Sequence, residues 1–260
     1  MNILFIGDIV GASGRRIVAD HLSCLKSKYS IDFTICNGEN AAHGKGITRK
    51  IYNQFKNLGI DCITLGNHAF AKREIYDFYA DTEDLLIPAN IEPLDFGKYY
   101  KVYKVKDMTL CVVNLYGEAF MNRVGDAPYP YMEHVLEKVQ ADYYFVDYHA
   151  ESTSEKQFMA TLYKDKIGCL VGTHTHVQTN DARMIGSTAY ITDVGMCGAV
   201  DSIIGRDFDE LYQSMVLGEK TYFKVAEGQS MINAIVVSVD DVTKKSVKIE
   251  TISFVEAPSV

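Results

Sequence analysis

Short apolar runs that stop at polar clusters recur along this chain. Met1 to Ile6 reads as a buried-type strand and ends in Gly7-Asp8. Gly11-Ala12-Ser13-Gly14 leads into a helix, with Ser13 in the N-cap role and Val18, Leu22 and Leu25 on the apolar face. Ile31 to Cys36 is the next strand and ends in Asn37-Gly38-Glu39-Asn40. A small-residue loop, Ala41 to Gly46, precedes a second helix. Thr48 caps that helix, Ile51, Phe55 and Leu58 recur at i, i+4 and i+7, and Gly59 closes it. Asp61 to Leu65 is a third strand, ending in Gly66-Asn67-His68. In β-α-β-α-β arrays, ligands bind at the carboxyl ends of the strands. Asp and Asn are common turn residues, so one polar strand end means little. Successive strands that deliver Asp8, then Glu39 and Asn40, then Asn67 and His68 point to a site.

The later pattern is mixed. A helix near Arg73 to Tyr79 leads to a short strand, Leu86 to Ile91. Val102 to Val105 and Thr109 to Leu115 form a hairpin around Lys106-Asp107. The irregular stretch 117–131 is long for a connector, and long connectors are often functional. Glu133 to Val139 is helical, and Asp142 to Tyr148 is a strand that ends in His149. Ser154 to Lys164 is a helix with Phe158 and Leu162 inward. Ile167 to Val171 is an apolar run that breaks at Gly172 and continues as Thr173-His174-Thr175-His176. In extended backbone, residues two apart point to the same side, which makes His174 and His176 a natural pair. Ala189 to Thr192 is a strand ending in Asp193-Val194-Gly195-Met196; Ile203-Ile204-Gly205 and the run Tyr212 to Leu217 follow. Met231 to Val239 and Ser246 to Phe254 alternate around Asp240-Asp241 and read as a hairpin in a second sheet. Early β-α-β units and later antiparallel hairpins suggest two sheets packed together with helices outside.

Composition narrows the class. The 260 residues carry no linker-like tract, repeat or low-complexity segment, so 1–260 is read as a single domain. A formal charge of −8 argues against long nucleic acid as the main partner. Cys24, Cys36, Cys62, Cys111, Cys169 and Cys197 form no CxxC pair. Most lie in or beside apolar runs and read as core thiols of a reduced compartment, hence a cytoplasmic protein. Asp8 cuts the N-terminal apolar run short, so no signal peptide is expected, and no run reaches membrane-spanning length.

Collected, the strand-end residues are Asp8, Glu39, Asn40, Asn67, His68, His149, His174 and His176. They form a mixed oxygen and nitrogen donor set without a thiol, which favours Mn, Fe, Zn or Ni over a structural zinc or a calcium site. So many donors exceed one ion's needs. They suit two metals roughly 3.5–4 Å apart that share one carboxylate, clamp a phosphate and hold a hydroxide for in-line attack.

The order Asp…Glu-Asn…Gly-Asn-His…His…Gly-x-His-x-His resembles the calcineurin-like metallophosphoesterase superfamily. Gly7-Asp8-Ile9-Val10-Gly11, Asn37-Gly38-Glu39-Asn40, Gly66-Asn67-His68 and Gly172-Thr173-His174-Thr175-His176 resemble its YmdB-like branch, as do Asp193-Val194-Gly195-Met196 and Ser202-Ile203-Ile204-Gly205. The resemblance implies a four-layer α/β/β/α sandwich and a dinuclear centre. It implies that Asp8, Asn40 and His176 hold the first metal, Asn67, His149 and His174 the second, and that Glu39 bridges them. His68 would be the general acid or would stabilise the phosphoryl and leaving oxygens. The implied activity is hydrolysis of cyclic nucleotides, 2′,3′-cyclic and 3′,5′-cyclic AMP, with two divalent ions. Fe or Mn come first, with Zn, Mg or Ni as alternatives. Subunits would associate as dimers or tetramers. The sequence departs from the wider superfamily where Asp-x-His becomes Asp8-Ile9-Val10, where Glu39 stands for the usual bridging Asp, and where Thr173 separates Gly172 from His174.

Three rival readings stay open. A phosphomonoesterase or nucleotidase would use the same donors. A dinucleotide-binding protein would use Gly7-x-x-x-Gly11-x-x-Gly14 and Glu39, but leaves the histidines unexplained. A weakly catalytic regulatory scaffold would keep the metal site without turnover. His21 and His134 fall on predicted helices and read as surface or interface histidines; His43, in the loop after Asn40, is placed where it could touch substrate, with a surface role the favoured reading. Asp193 reads as a turn residue or as a partner of a metal-bound histidine.

Overall fold

A computed structural model describes residues 1–257. β1 (Asn2–Ile6) passes through a glycine into the short β2 (Asp8–Ile9), and α1 (Gly11–Lys28) returns the chain to β3 (Phe33–Asn37). α2 (Arg49–Asn57), β4 (Cys62–Thr64), α3 (Ile75–Phe78) and β5 (Leu85–Leu86) follow. The middle of the chain supplies β6 (Tyr100–Val105), β7 (Met108–Tyr116), α4 (Tyr129–Lys138), β8 (Tyr143–His149), α5 (Thr153–Leu162), β9 (Cys169–Thr173), β10 (Arg183–Ile185) and β11 (Thr188–Ile191). Last come β12 (Met196–Ala199), α6 (Phe208–Met215), β13 (Ser230–Val239) and β14 (Ser246–Val255).

The first sheet has eight strands in the order β2-β12-β13-β1-β3-β4-β5, with β14 paired to β13. The second has six, in the order β10-β11-β9-β8-β7-β6. β1, β3, β4 and β5 run parallel, as do β7, β8, β9 and β11. Both sheets therefore present several carboxyl ends along one edge.

Strands buried on both faces need apolar residues at every position. Ile3 and Phe5 of β1 enter the layer between the sheets, against Ile35, Cys62, Phe145 and Val171. The rings of Phe5 and Phe145 stack across it at 5.6 Å. Leu4 and Ile6 face the other way, onto Ile17, Val18 and Leu22 of α1. On the far side, Met132 and Val135 of α4 and Met159 and Ala160 of α5 cover Val113, Val146 and Leu170. The result is the α/β/β/α sandwich expected from the pattern.

Four expectations are corrected. The β13–β14 hairpin belongs to the first sheet, because β13 runs antiparallel to β1 from Asn2↔Ser238 to Ile6↔Ala234. Alternation reveals a strand with two unlike faces and is silent about its neighbour. Ser13 does not cap α1: Gly11, at φ 61°, starts the helix two residues earlier, and Val10 is the N-cap without a side-chain bond. Thr48 does cap α2, its Oγ1 accepting from Ile51 N at 3.3 Å. Phe158 and Leu162 point outward, 56% and 46% exposed, while α5 buries Lys156, Met159 and Ala160. A lysine with an internal partner shifted the buried face. The strand expected over Leu86 to Ile91 is only Leu85–Leu86. All six cysteines are free thiols, five of them buried. No helix among the described residues is long and apolar enough to cross a membrane.

Candidate functional site

The strand-end residues converge. Asp8, Glu39, Asn40, Asn67 and His68 follow β1, β3 and β4 of the first sheet; His149 ends β8, and His174 and His176 follow β9 of the second. They meet where the carboxyl edges of the two sheets adjoin. Glu39, Asn40, Asn67, His68, His174 and His176 line a cleft of about 250 Å³, together with Glu151, Thr175 and Ile204. Asp8 and His149 are fully buried in its wall.

Two sets of donor atoms lie within 4.8 Å of one another: Glu39, His149 and His174, and Asp8, Glu39 and His176. Glu39 belongs to both. Its Oε1 is 3.4 Å from His149 Nε2, and its Oε2 accepts from His68 N at 3.0 Å. Asn67 Oδ1 lies 2.9 Å from His149 Nε2 and 3.0 Å from His174 Nδ1, and those nitrogens are 3.1 Å apart. His176 donates from Nδ1 to Ile204 O at 2.9 Å, which leaves Nε2 3.8 Å from Asp8 Oδ1. Gly66 makes room for this packing: a Cβ there would collide with His149 Nε2 and Glu39 Oε2.

Burial sets the protonation states. It pushes Asp8 up to about 8, helped by the charge of Asp193, and lifts Glu39 well above the usual carboxylate range. It holds His149 well below its ordinary value and lowers His174 and His176 as well. Neutral imidazoles are competent metal ligands, and a cation beside the carboxylates would offset their desolvation. Asp8 Oδ1 and Asn40 Oδ1 are buried with no hydrogen-bond partner. Buried oxygens of that kind are rare unless something else meets them. The donor set therefore fits divalent metal ions of the Mn, Fe, Zn or Ni type.

His174 and His176 come together for a reason other than strand alternation. β9 stops at Thr173, and the two histidines take φ of 104° and 66°. Their rings part company, His174 joining the His149 group and His176 the Asp8 group. Such backbone costs on the order of 1–3 kcal/mol per residue and needs support. A buried ion pair provides it: Lys156 Nζ donates to Asp193 Oδ2 at 2.9 Å and to Thr173 O at 3.0 Å. Asp193 Oδ2 also accepts from Thr175 N at 3.1 Å. Asp193 thus holds the turn's backbone.

His68 is partly buried beside the donors. Burial, and then the charge of Lys45, pull it down to about 4. Its Nε2 is 3.2 Å from Asn67 Nδ2, which can only donate, so the ring's proton sits on Nδ1. His43 is exposed and borders a separate hollow with Phe223, His134 is exposed, and His21 packs on Phe254 at 4.7 Å.

Two groups at the site were not legible beforehand. Glu151 Oε2 lies 3.1 Å from His174 Nε2, and nothing in its surroundings in the sequence marks it. Asp147 is fully buried one step below His149 on the same face of β8. Burial raises it to about 7, while bonds from Thr64, Thr173 and Asn37 hold it back. A carboxylate at an inward position of an apolar strand was the available signal.

The sequence model for YmdB-like proteins matches residues 4–252. A relative from Bacillus subtilis (strain 168), named 2′,3′-cyclic-nucleotide 2′-phosphodiesterase, is 44% identical over 254 residues, which is 97% of this chain and 96% of that one. A crystal structure described as a novel phosphatase from Mycoplasma pneumoniae superposes with a TM-score of 0.94 at 33% identity, covering 99% of this chain and 94% of that one. A hypothetical protein from Thermus thermophilus does so with a TM-score of 0.92 at 35% identity, covering 99% and 100%.

Proposed function

The chain belongs to the YmdB-like family, and from that premise we propose that it is a metal-dependent phosphodiesterase acting on cyclic nucleotides, 2′,3′-cyclic AMP or 3′,5′-cyclic AMP. The observation that carries this reading is Glu39 standing in both donor sets, as a bridging carboxylate must. Asp8, Asn40 and His176 would hold one divalent ion and Asn67, His149 and His174 the other, with Fe or Mn preferred and Zn, Mg or Ni as alternatives. The orphaned oxygens of Asp8 and Asn40 fit that role, Asn40 serving where the superfamily has a histidine. Ions held there would supply Lewis acidity, acidifying water to near neutral pH and offsetting charge on the phosphoryl group.

The chain's own residues orient and donate. At neutral pH, placing a second proton on a ring whose pKa is about 4 costs about 4 kcal/mol. His68 therefore assists the leaving oxygen as a neutral hydrogen-bond donor rather than as an imidazolium. The cleft, about 250 Å³, suits a small phosphate ester. The charge of −8 leaves long nucleic acid a poor ligand.

A second reading, a phosphomonoesterase, is favoured by the Mycoplasma pneumoniae relative described as a phosphatase. The test is hydrolysis of 2′,3′-cyclic AMP with Mn²⁺, beside a chelated control and beside p-nitrophenyl phosphate. Metal-dependent turnover of the cyclic nucleotide supports the first reading. Cleavage of the monoester alone moves the assignment to the second.

Residues 1–260 would work as one catalytic domain, in the cytoplasm, where the six thiols stay reduced. Assembly into dimers or tetramers is supported by α6, which turns Phe208, Tyr212 and Met215 to solvent at i, i+4 and i+7. Ile203 and Ile204 extend this exposed apolar surface towards the cleft. Light scattering on the purified protein tests it, and a monomer at all concentrations would refute it.

A further inference from the structure

Below the candidate ligands lies a buried polar layer that metal binding does not use. Asn37 ends β3, Thr64 ends β4, Asp147 lies in β8 and Thr173 ends β9; all four are fully buried. Two come from each sheet. Asp147 Oδ2 accepts from Thr64 Oγ1 at 2.5 Å and lies 3.3 Å from Asn37 Nδ2. Asp147 Oδ1 is 2.8 Å from Thr173 Oγ1, and that hydroxyl is 2.9 Å from His149 Nδ1. Thr173 is the residue set between Gly172 and His174, and its register partner across the strands is His149.

We infer that Asp147 and Thr173 are positioning residues that fix the tautomer and ring orientation of His149. The argument is a count of protons. Thr173 has one hydroxyl hydrogen and two neighbours. Asp147 Oδ2 is already met by Thr64 and Asn37, and a hydrogen bond to the ionised carboxylate is roughly twice as strong as one to a neutral acceptor, so with Asp147 ionised the hydroxyl hydrogen goes to its Oδ1. The hydroxyl oxygen then accepts, and His149 must donate from Nδ1. A neutral imidazole has a single N–H, so its Nε2 keeps a lone pair. That atom is the one within 2.9 Å of Asn67 Oδ1 and 3.1 Å of His174 Nδ1. His174 is oriented oppositely: its Nε2 faces the Glu151 carboxylate and its Nδ1 faces the donors. Two neighbouring rings thus use different nitrogens, each set by its own carboxylate.

The role in metal binding rests on the proposed function; the tautomer does not. The experiment compares the parent protein with Thr173→Val, which keeps the shape and removes the hydroxyl, with Thr173→Ser, which keeps the hydroxyl, and with Asp147→Asn. The ¹⁵N spectrum of metal-free protein, with His149 assigned by its loss in His149→Asn, is expected to show the proton on Nδ1. Thr173→Val is expected to move it to Nε2 and to weaken Mn²⁺ binding by about 10–100-fold by calorimetry. Thr173→Ser is expected to restore both. A parent His149 protonated on Nε2 would overturn the inference without any variant having to fold. So would a folded Thr173→Val with parental tautomer and affinity. If the parent protein binds no Mn²⁺, the proposed function fails, and the tautomer still decides this inference.

Discussion

Lys156 Nζ lies 2.9 Å from Asp193 Oδ2, and neither side chain reaches water. Between them they bond the backbone on both sides of His174. Removing one member of a buried pair strands the other's charge, whereas replacing both is close to neutral. Lys156→Met is expected to lower the unfolding free energy by about 3–5 kcal/mol in a urea titration. Lys156→Met with Asp193→Leu is expected to recover only part of that loss, because Thr173 O, Thr175 N and Gly195 N lose their partners. A single-variant loss below about 1 kcal/mol would show that the pair carries little.

Gly66→Ala tests the packing of the donors. Its β-carbon would overlap His149 Nε2 and Glu39 Oε2. Displacing either by about 1 Å is expected to cost about 100-fold in kcat/KM with Mn²⁺. The melting temperature should fall only modestly, since overpacking costs about 1–3 kcal/mol. Parental kinetics would mean that the His149–Glu39 contact is slack.

His68 and His174 should separate chemistry from metal binding. His174 belongs to one of the two candidate donor sets and His68 to neither. His174→Ala is expected to abolish turnover and weaken Mn²⁺ binding. His68→Ala is expected to abolish turnover with the metal content, measured by elemental analysis, unchanged. Metal loss in the second variant would move His68 into the ligand set.

Metal affinity should depend on pH with a definite sign. Asp8, raised to about 8, holds a proton at neutral pH in the metal-free protein. A cation must displace it, so binding releases protons and weakens as pH falls below about 8, by about tenfold per unit for one proton. Calorimetry in buffers of different ionisation enthalpy would register the release. Affinity flat between about pH 6 and pH 8 would show that Asp8 is already ionised.

The sequence pattern pointed to two packed sheets and to the eight strand-end residues that the fold brings together, because both follow from short-range rules. Buried strands read as continuous apolar runs, and Asp8, Glu39, Asn67, His149 and His174 each sit just where such a run stops. What escaped depends on contacts between distant segments. The β13–β14 hairpin could not be assigned to a sheet because its partner is β1, at the other end of the chain. The buried face of α5 was misjudged because Lys156 is kept inside by Asp193, 37 residues away. Glu151 carries no mark in the sequence because a carboxylate is ordinary until its neighbours are known; Asp147 is marked only by its inward position in an apolar strand. The His174–His176 pairing was expected on strand geometry that the backbone abandons at Thr173.

The place of β13 bears on how the protein is made. Every candidate ligand lies between residues 8 and 176, yet β1, which delivers the first of them, is flanked by β3 on one side and by β13 on the other. On the ribosome, β1 waits with an open edge until residues 230–239 have emerged. A message cut short after residue 176 would encode all the candidate ligands and still leave β1 unpaired on that side. The candidate ligands are thus all made before the strand that carries the first of them gains its second neighbour.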